Sequence, residues 1–129
     1  MTSILLVEDH KIFATALQQM LQERGHLDVV AVAESVEDAL NLIPNLEVDL
    51  VLIDVSLPRT SGISLVLDLQ KNYSDLPCVM LSGHASQHYV SSSLAAGARG
   101  YLVKDHQEEI LEGIQRVLQG EVYISEQVR

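Results

Sequence analysis

Four short apolar runs in the chain each end at a polar or charged side chain. The acidic pair Glu8 and Asp9 follows the first run, Asp54 closes a second, and Ser82 and Lys104 end two later ones. Three carboxylates brought together repel one another, so they either raise a pKa or bind a cation. Such oxygen ligands suit Mg²⁺, which often takes one or two carboxylates and keeps waters that a phosphate oxygen can replace.

The same set contains a possible nucleophile and groups that complement it. A carboxylate such as Asp54 can form an aspartyl-phosphate. The Lys104 ammonium and the Ser82 hydroxyl complement the charge of a transferring phosphoryl group. Taken alone, an acid can simply end a strand, and a lysine after a strand is usually a solvated surface charge. The chemistry therefore depends on the elements that bring these groups together.

The apolar pattern predicts five strands that alternate strictly with five helices. Short apolar runs favour strands covered on both faces, and apolar residues three or four positions apart favour helices. The crossovers are long enough for a parallel sheet, so the fold class is doubly wound α/β. The expected strands are residues 3–7, 28–33, 48–54, 77–81 and 100–103, and the expected helices are residues 10–24, 35–43, 61–72, 86–97 and 105–120.

Parallel topology places the carboxyl ends of all strands at one edge of the sheet, where ligands bind in α/β proteins. The polar strand ends are therefore expected to face one crevice. Ser35 is the expected N-cap of the second helix, and Asp105 with Glu108 resembles a capping box for the last one.

Composition predicts a single soluble, cytoplasmic domain. The 129 residues are 47% hydrophobic and 20% charged, and the formal net charge of -10 argues against direct binding to a nucleic-acid backbone. The single cysteine, Cys78, excludes an internal disulfide and is expected to be buried and inert. Neither a membrane span nor a signal peptide is evident.

With these motifs the chain resembles the receiver domains of two-component response regulators. The resemblance covers essentially the whole chain and implies a (βα)5, flavodoxin-like fold with a five-stranded sheet in the order 2-1-3-4-5. The matching positions, in order and spacing, are Glu8-Asp9, Asp54 with Pro58 and Gly62 after it, Ser82, Tyr101 and Lys104.

The resemblance also implies a role for each site residue. Asp54 is expected to accept a phosphoryl group from a sensor histidine kinase, and Lys104 to pair with a phosphoryl oxygen. Asp9 and Asp54 are expected to bind Mg²⁺ directly, together with the backbone carbonyl of Ser56. Glu8 is expected to act on the metal through water.

Two further positions are expected to form the switch. Ser82 is expected to move and hydrogen-bond the phosphoryl group, after which Tyr101 swings inward into the space left. The weak helix at residues 86–97 has few apolar anchors and is a natural moving part. Asp105 stands where many members of the family have proline, which leaves the isomer of the Lys104-Asp105 peptide open.

The segments 96–105 and 120–125 resemble receivers of the NarL/FixJ (LuxR-type) transcription regulators. This resemblance implies a receiver domain over residues 1–120, with residues 121–129 as the start of a linker to a helix-turn-helix domain outside this chain. Any contact with DNA is expected to belong to that domain, and phosphorylation is expected to promote a homodimer. No contact with a membrane is expected.

Other functions fit the residues less well. The runner-up is a stand-alone receiver that docks on a protein target or takes part in a phosphorelay. An aspartyl-nucleophile phosphatase would need a second Asp at the position of Ser56. A flavin-binding domain would not have two acids after the first strand, because they would repel a phosphate. The complete site argues against a receiver used only for docking. A zinc site is not expected, because the histidines are scattered: His10, His26, His84, His88 and His106.

Overall fold

The structure, a computed structural model, describes residues 1–129 and consists of one parallel sheet covered by helices on both faces. The strands are β1 (Ser3–Val7), β2 (Asp28–Ala33), β3 (Leu50–Asp54), β4 (Cys78–Ser82), β5 (Gly100–Val103) and β6 (Tyr123–Ile124), and the helices are α1 (Lys11–Gly25), α2 (Val36–Leu42), α3 (Gly62–Asn72), α4 (Gln87–Ala96) and α5 (Gln107–Leu118). The strands lie in the order β2-β1-β3-β4-β5-β6, and every neighbouring pair is parallel.

Alternation along the strands divides the core into two clusters, one on each face of the sheet. In β1, Leu5 and Val7 belong to the cluster that includes residues of α2, α3 and α4, whereas Ile4 and Leu6 belong to the cluster that includes residues of α1 and α5. Full burial of such a side chain contributes about 1.5–3 kcal/mol. A slip of one residue would exchange the faces of every side chain in the strand, so burial fixes the register.

The predicted doubly wound fold and the order of the first five strands are confirmed, but the predicted strand count is wrong. Tyr123 and Ile124 form a sixth strand beside Gly100 and Tyr101 of β5. The following residues turn into a 3₁₀ helix, Glu126–Val128. The segment expected to begin a linker is thus packed against the sheet in this structure.

The helix starts confirm one predicted cap and contradict another. Ser35 caps α2, because its side chain accepts a hydrogen bond from the Asp38 amide at 3.0 Å. The predicted capping box is wrong: α5 begins at Gln107, after His106, whose side chain makes no capping bond. The peptide between Lys104 and Asp105 is trans, as are all others in the chain.

The longest helix, α1, has 15 residues, of which Lys11, Glu23 and Arg24 are charged. No helix of the chain combines the length and the apolar character needed to cross a membrane.

Candidate phosphoacceptor site

The carboxyl ends of β1 and β3 bring three acids together. Val7 lies beside Ile53 in the parallel register, so the residues that follow, Glu8 and Asp54, reach the same edge of the sheet. Carboxylate oxygens of Glu8, Asp9 and Asp54 and a ring nitrogen of His10 all lie within 4.8 Å of one another. Glu8 and Asp54 are only 1% and 2% exposed, so their charges require a partner.

Lys104 supplies that partner from the end of β5. Its Nζ donates a hydrogen bond to Asp54 Oδ2 at 3.0 Å and lies 2.7 Å from Glu8 Oε1. Burial alone would lower the pKa of Lys104, but the two carboxylates outweigh burial and raise this pKa above its ordinary value. Lys104 is therefore a cation held between two acids rather than a solvated surface charge.

The loop after β3 is shaped by close backbone contacts that fix the Asp54 carboxylate. The Ser56 amide donates a hydrogen bond to Asp54 Oδ1 at 3.0 Å, and the Gly62 amide donates to the Val55 carbonyl at 2.9 Å. A Cβ atom at position 62 would collide with the Asp54 carbonyl oxygen. Glycine is required here because the start of α3 packs directly on the backbone of Asp54.

Ser82 and Tyr101 meet at one acceptor, the backbone carbonyl of His84. Ser82 Oγ and the Tyr101 hydroxyl each donate to this oxygen at 3.0 Å. Tyr101 is fully buried, and burial raises the pKa of its hydroxyl. Tyr101 is already in an inward position in this structure, so the expected inward swing stays a prediction.

The donor set at the acidic edge fits a small divalent cation. Asp9 Oδ1 is buried and accepts no hydrogen bond from the protein. Burial raises the pKa of Glu8, and the nearby Asp54 carboxylate adds to this effect against the opposing effect of Lys104. A bound cation would give the Asp9 oxygen a partner and would reduce the repulsion between the carboxylates. Carboxylate oxygens at one open edge are the ligands that Mg²⁺ prefers.

The structure brings together the acids and the lysine that the sequence indicated, with Ser82 and Tyr101 on the neighbouring strands. Sequence reasoning did not place His10 in this cluster, because the five histidines are scattered along the chain. Its position directly after Glu8 and Asp9, at the end of a predicted strand, was the available signal.

Comparisons with protein families and with curated proteins both find response regulators. The model of the response regulator receiver domain matches residues 4–115. Curated relatives include the transcriptional regulatory protein DegU of Brevibacillus brevis, 32% identical over 97% of this chain and 53% of its own length. The response regulator GacA of Pseudomonas aeruginosa is 33% identical over 99% of this chain and 60% of its own length.

Solved structures show the same fold. A LuxR-family two-component response regulator from Aurantimonas superposes with a TM-score of 0.94 at 25% identity, covering 99% of this chain and 93% of that one. A CheY-like receiver domain protein from Methanospirillum hungatei superposes with a TM-score of 0.83 at 29% identity, covering 93% of this chain and 95% of that one. The chain spans between half and three fifths of the length of the curated relatives described above.

Proposed function

The chain belongs to the family of response regulator receiver domains, and from this premise we propose that it is a phosphoacceptor that a sensor histidine kinase phosphorylates on Asp54. The observation that carries the proposal is the position of Lys104 Nζ, at 3.0 Å from Asp54 Oδ2 and 2.7 Å from Glu8 Oε1. This geometry supports a role for Asp54 as the reacting carboxylate, because a cation already lies beside it.

In the proposed reaction an Asp54 carboxylate oxygen attacks the phosphorus of a phosphohistidine. An O–P bond forms while the P–N bond breaks, and the electron pair of that bond returns to the imidazole of the kinase. Lys104 then pairs with a phosphoryl oxygen and offsets its charge. The Ser56 amide holds Asp54 Oδ1 at 3.0 Å, which limits rotation of the carboxylate before attack.

Mg²⁺ would be held directly by Asp9, Asp54 and the Ser56 carbonyl, and through water by Glu8. The chemistry that the ion supplies when bound is neutralisation of charge on the transferring phosphoryl group. The unpaired Asp9 Oδ1 supports this ligand set.

The switch is proposed to run through Ser82 and Tyr101. If Ser82 Oγ turns toward the phosphoryl group, the His84 carbonyl loses one of its two hydroxyl donors and keeps the bond from Tyr101. The loop that leads into α4 then has a changed set of hydrogen bonds. Phosphorylation thereby shifts an equilibrium between two arrangements of the α4 and β5 region.

We propose that the output is control of transcription. The relatives DegU and GacA are named as a transcriptional regulatory protein and a response regulator. DNA contact would belong to a domain beyond this chain, and phosphorylation would promote a homodimer. The alternative is a stand-alone receiver that acts by docking or in a phosphorelay. Sedimentation with and without beryllofluoride and Mg²⁺ tests the dimer, because unchanged sedimentation would contradict it.

Phosphorylation by acetyl phosphate, measured by intact mass, tests the acceptor. Wild type is expected to gain one phosphoryl group in the presence of Mg²⁺ and none after chelation. Asp54→Asn removes the nucleophile and is expected to gain none, whereas the exposed control Asp75→Asn should behave as wild type. A gain by Asp54→Asn equal to that of wild type would refute the assignment. If wild type gains none, transfer from a phosphorylated kinase decides between a kinase-dependent acceptor and no acceptor.

A further inference from the structure

His10 lies at the acidic edge of the sheet, although the five histidines are scattered along the sequence. One of its ring nitrogens lies within 4.8 Å of carboxylate oxygens from Glu8, Asp9 and Asp54. Its Nδ1 is 3.8 Å from Glu8 Oε2. Two direct ligands of one metal ion at ordinary bond lengths of about 2.1 Å are at most about 4.2 Å apart. The ring nitrogen and the carboxylate oxygens of Asp9 and Asp54, all within 4.8 Å, are thus close to the separation that joint coordination requires.

The backbone of His10 is held by its position at the start of α1, whereas its side chain makes no capping hydrogen bond. The residue occupies the N-cap position of α1 with extended backbone angles, yet its imidazole makes no capping hydrogen bond. N-cap positions favour Ser, Thr, Asp and Asn, whose side-chain oxygen accepts a hydrogen bond from the helix backbone, and histidine has no such oxygen. The His10 amide donates to Glu8 Oε2 at 3.1 Å and so ties the residue to the acidic cluster. The ring is left free to bind a ligand.

Further evidence for a bound cation comes from the carboxylates of the same cluster. Asp9 Oδ1 is buried and accepts no hydrogen bond, whereas Glu8 Oε1 is paired with Lys104 Nζ at 2.7 Å. The Glu8 side chain is completely buried. Three acids against one lysine leave a local charge of about -2 when all are ionised, which a divalent cation neutralises.

We propose that His10 is an additional ligand of the divalent cation at this edge, which gives the site a selective gain in affinity for Co²⁺, Ni²⁺ and Zn²⁺ over Mg²⁺. The inference rests on the proposed function in one respect, namely that the same carboxylates hold a cation. The physical reason is ligand type: Mg²⁺ prefers oxygen and binds imidazole poorly, whereas imidazole suits the later transition metals. Replacing an oxygen-only set by a mixed set thus changes which ion the site prefers.

Calorimetric titration of the whole chain with Co²⁺ and with Mg²⁺ tests the proposal. His10→Ala is expected to weaken Co²⁺ binding about tenfold, which corresponds to about 1.4 kcal/mol, and to leave Mg²⁺ binding within twofold. His88→Ala removes an exposed histidine of α4 outside the cluster and serves as the matched control, with both affinities unchanged. Asp9→Asn is expected to weaken both ions, since it removes a shared oxygen ligand.

A second measurement reads the bond itself. In long-range ¹H–¹⁵N spectra, Zn²⁺ is expected to shift a ring nitrogen of His10 and leave the nitrogens of His88 in place. The proposal is overturned if Zn²⁺ leaves the His10 nitrogens unshifted, or if His10→Ala alters Co²⁺ and Mg²⁺ binding to the same extent or neither. It is also overturned if His88→Ala weakens Co²⁺ binding as much as His10→Ala does. Failure of wild type to bind either ion would instead count against the cation site of the proposed function.

Discussion

Replacement of Glu109 by alanine should release the C-terminal segment from the sheet. Glu109 Oε1 accepts a hydrogen bond from Ser125 Oγ at 2.7 Å, and Oε2 accepts from the Tyr123 hydroxyl and the Glu126 amide, each at 3.0 Å. Ser125 is fully buried and its Oγ also accepts from the Val103 amide at 3.1 Å. One carboxylate of α5 thus holds β6 and the turn that follows it.

The magnitude follows from what each donor can do after the change. The buried Ser125 hydroxyl loses its acceptor, which costs about 1–3 kcal/mol. The Tyr123 hydroxyl and the Glu126 amide can donate to water instead, so the loss of each of these hydrogen bonds costs about 0.5 kcal/mol. The free energy of unfolding should therefore fall by about 2–4 kcal/mol. Glu108→Ala is the matched control, because Glu108 is exposed and makes only a 4.0 Å ion pair with Arg24; its expected effect is within about 0.5 kcal/mol.

The effect of Glu109 should depend on pH. Burial alone would raise the pKa of Glu109, but the hydrogen bonds from Glu126, Ser125 and Tyr123 outweigh burial and lower this pKa below the ordinary value of 4.5. A group with a lowered folded-state pKa stabilises the fold above its unfolded pKa, and this stabilisation is lost as pH falls through the folded-state pKa. The difference between wild type and Glu109→Ala should thus be full at pH 7 and shrink below about pH 4.

Urea unfolding followed by circular dichroism at pH 7 and pH 3.5 measures both effects. Hydrogen exchange resolves the local consequence, because amides of residues 121–129 should exchange faster in Glu109→Ala while those of β1 keep their protection. If Glu109→Ala and Glu108→Ala unfold at the same urea concentration at pH 7, or if their difference is unchanged at pH 3.5, the reasoning is refuted.

Two further predictions concern the surroundings of Lys104 and Asp54. The Phe13 ring centroid lies 4.8 Å from Lys104 Nζ, and a cation–π contact of this kind is worth about 0.5–1 kcal/mol at an exposed site. Phe13→Leu should therefore slow phosphorylation by acetyl phosphate about two- to fivefold while Phe13→Tyr keeps the wild-type rate, and equal rates for all three proteins would contradict a role for the ring. Gly62→Ala should lower the free energy of unfolding by about 1–3 kcal/mol in calorimetry, because its Cβ collides with the Asp54 carbonyl. Gly83→Ala, where a Cβ meets open space, is the control, and equal melting temperatures for the two variants would show that the loop can yield.

Three elements illustrate where sequence reasoning succeeded and where it failed. The apolar run that ends at Asp54 was predicted correctly as a strand. A strand covered on both faces needs apolar residues at every position, and few other elements need such a short continuous apolar run. The capping box at Asp105 failed because a pattern of two side chains does not specify where a helix begins. The strand β6 was missed because two residues, Tyr123 and Ile124, are too few for any periodicity to be visible.

The sequence by itself determined the alternation of strands and helices, the parallel sheet and the carboxylates at its open edge. These features depend on local spacing and on burial, which the order of residue types records directly. Only the tertiary structure decided that Lys104 lies between Glu8 and Asp54, that His10 joins the acids, and that Glu109 holds the C-terminal segment. Each of these contacts joins side chains whose separation depends on strand register and helix packing, and such distances are set by the whole core rather than by neighbours in the chain.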